Sequence, residues 1–126
     1  MSIETRLLKS DEIEKAMQLW SYCFADSPEF ISWYFKMRAG EVFAALDGTD
    51  LAAQMVAVPL VISLRDKKSQ AMMLSGVATA PQHRGKGYMN MLMRDGLSYL
   101  RDIGTEMALL SVAMNSSTIR CLSFCL

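Results

Sequence analysis

The sequence predicts an α/β fold of the α+β type, in which a mixed, mostly antiparallel sheet contains one parallel β-α-β crossover. Three observations predict it. An alternating segment is followed by two helical patterns, residues 41–79 have the pattern of strands separated by turns, and a long amphipathic segment leads to an apolar strand at 107–112. The 126 residues suffice for one core, so we expect a single domain over residues 1–126.

The composition argues against several classes of protein. Thirteen Lys and Arg balance thirteen Asp and Glu, whereas a nucleic-acid-binding surface usually carries a basic excess, so no nucleic-acid partner is predicted. The N-terminus lacks the apolar segment of a signal peptide, and the longest apolar run, 51–64, is too short to cross a bilayer. Three cysteines and one histidine predict neither a disulfide framework nor a metal site. We therefore expect a cytoplasmic protein with no membrane partner.

The first third of the chain predicts one strand and two helices. Residues 2–8 alternate as a strand does. Ser10 and Asp11 are typical N-caps of a helix that extends to Phe24, and Asp26-Ser27-Pro28 ends that helix and begins another, which reaches Gly40. The apolar positions of the second helix favour core packing, with the wall of an acceptor pocket as the alternative; they are Phe30, Ile31, Tyr34 and Phe35, followed by Arg38.

The middle third predicts a three-stranded antiparallel meander. Residues 41–46 form a β-rich segment, and the turn at 47–50 contains a strong hairpin signal in Asp47-Gly48. A long strand follows over 51–64, where Pro59 predicts a kink or a bulge. The charged turn at 65–68 then leads to a third strand at 70–79.

A basic glycine turn joins this third strand to a helix. Gly85 and Gly87 flank Lys86, and Arg84 precedes them. The first N–H groups of a helix have no partner within the helix, and glycine lets such groups point at one spot without a Cβ in the way. Main-chain amides of this kind beside Arg and Lys bind phosphate groups. The turn therefore predicts a site for an anionic cofactor.

The last third predicts a buried helix, a parallel strand and a final helix. The helix spans about 87–103, and Gly104 is a natural stop. The strand at 107–112 follows it and should pair in parallel with the strand at 70–79. Asn115 or Ser116 could cap a last helix. The buried face of the long helix is expected at Met89, Leu92, Met93, Gly96, Leu100 and Ile103.

The glycine turn and its flanking elements resemble the acetyl-CoA signature of the GNAT N-acetyltransferase superfamily. Gln82, Gly85 and Gly87 occupy the fixed positions of its pattern, which is Gln or Arg, two residues, Gly, one residue, then Gly or Ala. Within that superfamily, the runs 76–81 and 23–30 resemble proteins of the enhanced intracellular survival (Eis) type. The resemblance covers about residues 3–112, and it implies a partial GNAT domain that lacks the last strands.

The resemblance implies specific cofactor-binding residues. Main-chain groups of Val77, Ala78 and Thr79 would bind the pantetheine arm of acetyl-CoA, and the thioester would lie where the strands at 70–79 and 107–112 part. The implied reaction is transfer of an acetyl group to a primary amine of a small molecule or protein, without a metal. The pyrophosphate would be held by Arg84 and by the amides of Gly85, Lys86, Gly87, Tyr88, Met89 and Asn90.

Catalytic residues are left unassigned. The Eis-type pattern places a Tyr shortly after the fifth strand, and the run 117–124 contains none. The alternative is therefore a catalytically inactive module that binds CoA weakly or serves as an interaction part. For His83, a solvated or phosphate-adjacent role is favoured over that of a general base. A dinucleotide-binding oxidoreductase is disfavoured, because Asn90 stands where its third glycine belongs.

The expected end of the sheet also predicts self-association. If no strand followed 107–112, this apolar strand would form an exposed edge that could pair with a second copy of the chain. A homo-oligomer formed through that edge is therefore expected.

Overall fold

A six-stranded sheet with its strands in chain order forms the centre of the fold, in a computed structural model that describes residues 3–37, 40–115 and 118–125. All neighbouring strands are antiparallel except the fourth and fifth, which are parallel. The predicted fold class is confirmed. The strands are β1 (Ile3–Leu7), β2 (Glu41–Asp47), β3 (Asp50–Leu64), β4 (Lys67–Thr79), β5 (Met107–Asn115) and β6 (Thr118–Cys125). The helices are α1 (Ile13–Phe24), α2 (Pro28–Met37) and α3 (Tyr88–Asp102), with short 3-10 turns at Ser10–Glu12 and Pro81–His83.

The helices cover both faces of the sheet. Successive side chains of a strand point to opposite faces, so β2 contributes to two cores. Phe43 packs in the cluster on the α3 side, and Val42 packs in the cluster beneath α1 and α2. Burial on both faces explains why residues 42–46 form one continuous apolar run.

The first two helices begin differently. The Ser27 side chain caps α2 as predicted, since its Oγ accepts the N–H of Phe30 at 3.1 Å. The predicted caps of α1, Ser10 and Asp11, are wrong, because a 3-10 turn occupies those positions and Glu12 accepts the N–H of Lys9 at 2.9 Å. The structure ends α2 at Met37, and the predicted helical residue Arg38 lies outside the described residues.

The predicted irregularity at Pro59 is wrong, because Pro59 pairs regularly with Met72. Ala57, two residues earlier, faces β2, since its carbonyl accepts the N–H of Gly40 at 2.9 Å. Alternate residues of a strand face the same side, so the nitrogen of Pro59 also points towards β2. The pairing with β2 ends at Ala57. Proline therefore loses no ladder hydrogen bond at this position.

The chain continues after β5 as a strand, and the predicted last helix is wrong. β6 pairs with β5 from Asn115 opposite Thr118 to Met107 opposite Cys125. The free edge of β5 supplies backbone partners that outweigh the local capping signal. β5 is therefore not the sheet edge, and self-association through that edge loses its basis. The alternative cap, Ser116, lies outside the described residues.

The end of α3 departs from the predicted buried face. Leu92, Gly96 and Leu100 are buried as expected, but Ile103 is 49% exposed. The helix ends at Asp102, and Gly104 adopts φ 93 and turns the chain away. Ile103 consequently leaves the line of the buried face.

The start of α1 makes a testable prediction about stability in acid. Arg6 donates hydrogen bonds of 2.8 and 2.9 Å to Glu12, and together with the Lys9 N–H this lowers the pKa of Glu12 to about 2. An unperturbed Glu titrates near ~4.3. The resulting stabilisation is present above that value and is lost as the pH falls towards 2. Urea unfolding should show Glu12→Gln destabilised at pH 5 and closer to the wild type at pH 2.5.

The control is Glu14→Gln, which changes an exposed carboxylate two residues further on, in the first turn of α1. An equal loss in Glu12→Gln at both pH values would contradict the role of the Arg6 pair.

Candidate functional site

A β-bulge in β4 is the first feature of the site. Gln54 pairs with Ala78 and Val56 pairs with Ser75, so two steps along β3 correspond to three along β4. The extra step falls at Gly76, which adopts φ 58. A bulge bends its strand and increases the local twist. Glycine meets this conformation without a Cβ penalty.

The sheet opens immediately beyond the bulge. The parallel pairing of β4 with β5 runs from Ala71 opposite Met107 to Leu74 opposite Leu110 and then stops. Both strands continue, β4 to Thr79 and β5 to Asn115. A slot between the two strands therefore begins where β4 bends, at the place predicted for the thioester.

The alternation of the backbone determines which main-chain groups face this slot. The N–H of Ala80 donates to the carbonyl of Ala52 on β3 at 2.8 Å. Ala78 therefore also faces β3, where it pairs with Gln54. Val77 and Thr79 face the slot. The structure thus separates Ala78 from the other two predicted strand residues.

The first two helices hold the bulge from one face of the sheet. The ring of Trp20 lies against Gly76 so closely that a Cβ there would overlap its Cε3 and Cζ3 atoms. The indole N–H donates to Asp26 at 2.7 Å. The hydroxyls of Tyr34 and Ser75 are 2.7 Å apart and hydrogen-bonded. The helical spacing of these aromatic residues predicted core packing, but nothing in it identified the bulge as their partner.

Buried Gln54 holds the bulge from the neighbouring strand. Its Nε2 donates to the carbonyl of Gly76 at 3.3 Å. The bulge is therefore fixed by contacts from α1, α2 and β3.

The glycine turn forms the second part of the site. Gly85 and Gly87 adopt φ 79 and 80, and a Cβ at either would meet nothing within 4 Å. Backbone conformation, not crowding, thus requires glycine here. The N–H of Met91 donates to the carbonyl of Gly87 at 3.2 Å, so the three preceding helical amides, at 88–90, precede the first hydrogen bond of the α3 ladder.

A cavity of about 140 Å³ lies at this end of α3. Most of the residues predicted to hold the cofactor line it. Lys86 is exposed at the turn and does not line it, and Val77 and Ala78 belong to the slot. The lining residues are Thr79, His83, Arg84, Gly85, Gly87, Tyr88, Met89 and Asn90.

Arg84 connects the cavity to the slot. Its Nε donates to the carbonyl of Thr79 at 3.1 Å, and its Nη2 lies 3.8 Å from the Sγ of Cys23, which is a free cysteine. The guanidinium therefore lies across the end of β4 and places its positive charge beside both parts of the site. The side chains of the other two cysteines, Cys121 and Cys125, lie outside the described residues.

His83 is buried, so the solvated role predicted for it as one of two alternatives is wrong. Its side chain points inwards, only 5% of the residue is exposed, and its ring centroid lies 5.8 Å from that of Tyr88. The phosphate-adjacent alternative stays a prediction, and the structure places His83 in the lining of the cavity. A polar side chain in a glycine turn is usually expected to face solvent, so only the packing of the turn against α3 identifies this burial.

A larger groove of about 660 Å³ lies elsewhere. Lys15 and Tyr22 of α1, the turn at Thr49 and Asp50, and Gln82 border it. It meets the site only at residues 80–82 and does not reach the opening between β4 and β5. Although it is larger than the cavity at the end of α3, its position argues against its being the reaction centre.

The described residues contain neither a membrane-spanning helix nor a cluster of metal ligands. No helix among them is both long and apolar enough to span a membrane. Within the same residues, no three His, Cys, Asp or Glu side chains are grouped as a metal site.

Comparison with protein families decides the classification. The family model described as Acetyltransferase (GNAT) domain matches residues 4–118. The chain belongs to the GNAT acetyltransferase family. A search of curated proteins found no match.

Several solved structures align with this GNAT chain and have the same fold. A GCN5-related N-acetyltransferase from Anabaena variabilis aligns with a TM-score of 0.80 at 17% identity, covering 90% of this chain and 29% of that one. Eis1 from Mycobacterium abscessus aligns with a TM-score of 0.73 at 17% identity, and the alignment covers 92% of this chain and 29% of that one. A GNAT family acetyltransferase from Brucella melitensis, in complex with acetyl-CoA, aligns with a TM-score of 0.71 at 17% identity. This alignment covers 98% of this chain and 88% of that one. The chain thus spans under a third of the length of the first two.

The packing of Trp20 on Gly76 makes a testable prediction. Gly76→Ala adds the strain of a left-handed residue, about 1 kcal/mol, and an overlap with the indole, which costs a further ~1–3 kcal/mol. Gly48→Ala is the matched control, since Gly48 has φ 64 and a Cβ there would meet nothing within 4 Å. In urea unfolding, Gly76→Ala should lose clearly more stability than Gly48→Ala. Equal losses would show that the indole does not restrict this position.

Proposed function

We propose that this chain is an N-acetyltransferase domain of Eis type that transfers the acetyl group of acetyl-CoA to a primary amine in the cytoplasm. The observation that carries the proposal is the continuity of two features. A slot opens between β4 and β5 at the bulge, and a cavity at the N-terminus of α3, whose amides at 88–90 precede the helical hydrogen-bond ladder, lies at the end of the same strand. The Brucella melitensis neighbour, which is in complex with acetyl-CoA, supports the choice of cofactor.

The residues of the site suit the parts of acetyl-CoA. The slot-facing main-chain groups of Val77 and the N–H of Thr79, whose carbonyl already accepts from Arg84, would bind the pantetheine arm as an added strand does. Ala78 would contribute packing only, because its main chain is directed to β3. The pyrophosphate would occupy the cavity, held by the amides of the turn and of residues 88–90 and by Arg84. Exposed Lys86 would add positive charge at the entrance.

The chemistry would depend mainly on positioning. Acetyl-CoA supplies the acetyl group as a thioester, and an amine attacks its carbonyl only in the neutral form. The chain would hold the two reactants in line at the parting of β4 and β5. Main-chain N–H groups at that place would stabilise the negative charge that develops on the carbonyl oxygen.

The acceptor side would be formed by the first two helices. Phe24 and Phe30 are exposed on them and pack against Trp20 and Tyr34, and aromatic faces attract cationic amines. This arrangement suits polyamines and aminoglycosides, which carry several amino groups.

A second function is favoured by one observation. Residues 118–125, which form β6, contain no tyrosine that could protonate the departing thiolate. In this alternative the chain binds CoA without turnover. Steady release of CoA from acetyl-CoA with a panel of polyamines and aminoglycosides would establish the enzyme, and binding without release would favour the inert module.

Glycine variants test the cofactor site. Gly87→Ala places a Cβ in the turn that would face the pyrophosphate and should weaken CoA binding at least ~10-fold in calorimetry, since close backbone approach is lost. Gly104→Ala is the matched control, because Gly104 has φ 93, similar open space and a position at the far end of α3. It should lose similar stability and keep its CoA affinity. No CoA binding by the wild type at millimolar ligand would contradict the proposal.

A further inference from the structure

We propose that the imidazole of His83 is a direct ligand of the cofactor's pyrophosphate, donating a ring N–H to a phosphate oxygen. This inference rests on the proposed function and makes His83, for which the sequence suggested only a place near the phosphate, a direct ligand. Three observations support it: the burial of the ring, the chemistry of the cavity wall and the other commitments of Arg84.

The ring is buried without a described partner. His83 is 5% exposed, and neither Nδ1 nor Nε2 has a hydrogen-bond partner among the described residues. A neutral imidazole carries one donor and one acceptor, so the burial leaves both unsatisfied. Such groups are rare in folded proteins because each costs free energy. Because neither nitrogen is exposed to the cavity, the ring would have to turn as a ligand enters, and a hydrogen bond accepted by that ligand would then remove part of this cost.

The cavity wall favours an anion as that ligand. His83 lines it beside the N-terminus of α3, a helix of 15 residues whose first turn carries no acidic residue. No carboxylate belongs to the described lining, whereas one guanidinium does. The positive end of the helix dipole lies at this N-terminus, where the first amides of a helix are available to a ligand. A phosphate oxygen fits this set of donors, and a cation does not.

Arg84 leaves a place for a second side chain. Its Nε is bonded to the carbonyl of Thr79, and its Nη2 contacts Cys23. These contacts direct the guanidinium to the end of β4, while His83 and Tyr88 lie side by side on the inner wall. The described ring contact of His83 is with Tyr88 from α3. His83 is the side chain placed to bind an oxygen that lies deep in the cavity.

The single histidine of the chain makes a direct experiment possible. Histidine-selective ¹⁵N NMR reads His83 alone. On addition of CoA to the wild type, the ring nitrogen that donates should shift. Inorganic pyrophosphate should cause a shift of the same sign, and pantetheine, which lacks the pyrophosphate, should leave the ring resonances in place.

Substitutions provide a second readout. His83→Phe fills the ring volume without a donor and should weaken CoA binding about 10-fold or more, with no loss in the melting temperature of the free protein, because a buried unpaired polar group is removed. His83→Gln retains a donor and should bind more tightly than His83→Phe. Thr105→Val is the control, since it changes another buried polar side chain at the far end of α3 and should leave CoA affinity unchanged.

The outcomes separate this inference from the proposed function. CoA binding with unmoved ring resonances and an unchanged affinity of His83→Phe would overturn the role of His83 and leave the cofactor site standing. Wild-type protein that binds neither CoA nor pyrophosphate would overturn both.

Discussion

The close contact between the ring of Trp20 and Gly76 is the constraint on which the site depends. Gly76 takes a left-handed conformation in the bulge of β4, and the indole occupies the space that any side chain would need there. The extra residue of the bulge shifts the alternation of the strand by one position. Main-chain groups beyond it that would otherwise face β3 therefore face the β5 side, and the reverse. Because β4 bends at this point, its pairing with β5 ends at Leu74. One backbone conformation therefore both opens the slot and selects the groups that line it.

The rest of the fold keeps that conformation in place. Gln54 reaches the bulge from β3, and Tyr34 reaches it from α2. Trp20 is itself held by Asp26, which lies in the short connection between α1 and α2. The helix pair and the slot are therefore coupled, since a change in the packing of α1 would change the position of Gly76. On the other face, α3 packs against the same sheet and presents its N-terminus at the end of β4. The two halves of the site share a rigid support.

Local patterns in the sequence predicted much of this arrangement. Alternation and helical spacing predicted most of the elements and the crossover, Gly85 and Gly87 predicted an anion site, and the resemblance to the GNAT signature supplied most of the residues that line the cavity. Features that depend on distant contacts were not predictable. An irregularity was expected at Pro59, but the bulge that shapes the site lies in β4, where Gly76 permits it and the ring of Trp20 leaves no room for a side chain. The segment of β6 was expected to be a helix because its local sequence contains a capping signal. Its pairing with β5 could not be read from that local sequence. His83 was placed correctly beside the turn, and its burial depends on the packing of the turn against α3.

The central claim is that the bulge exposes Val77 and Thr79, and not Ala78, to the pantetheine arm. Residue-resolved amide hydrogen exchange with and without saturating CoA tests it most directly. The N–H groups of Val77 and Thr79 should exchange several-fold more slowly when CoA is bound, and that of Ala78, which already faces β3, should change little. Bound CoA with unchanged exchange at Val77 and Thr79 would contradict the account.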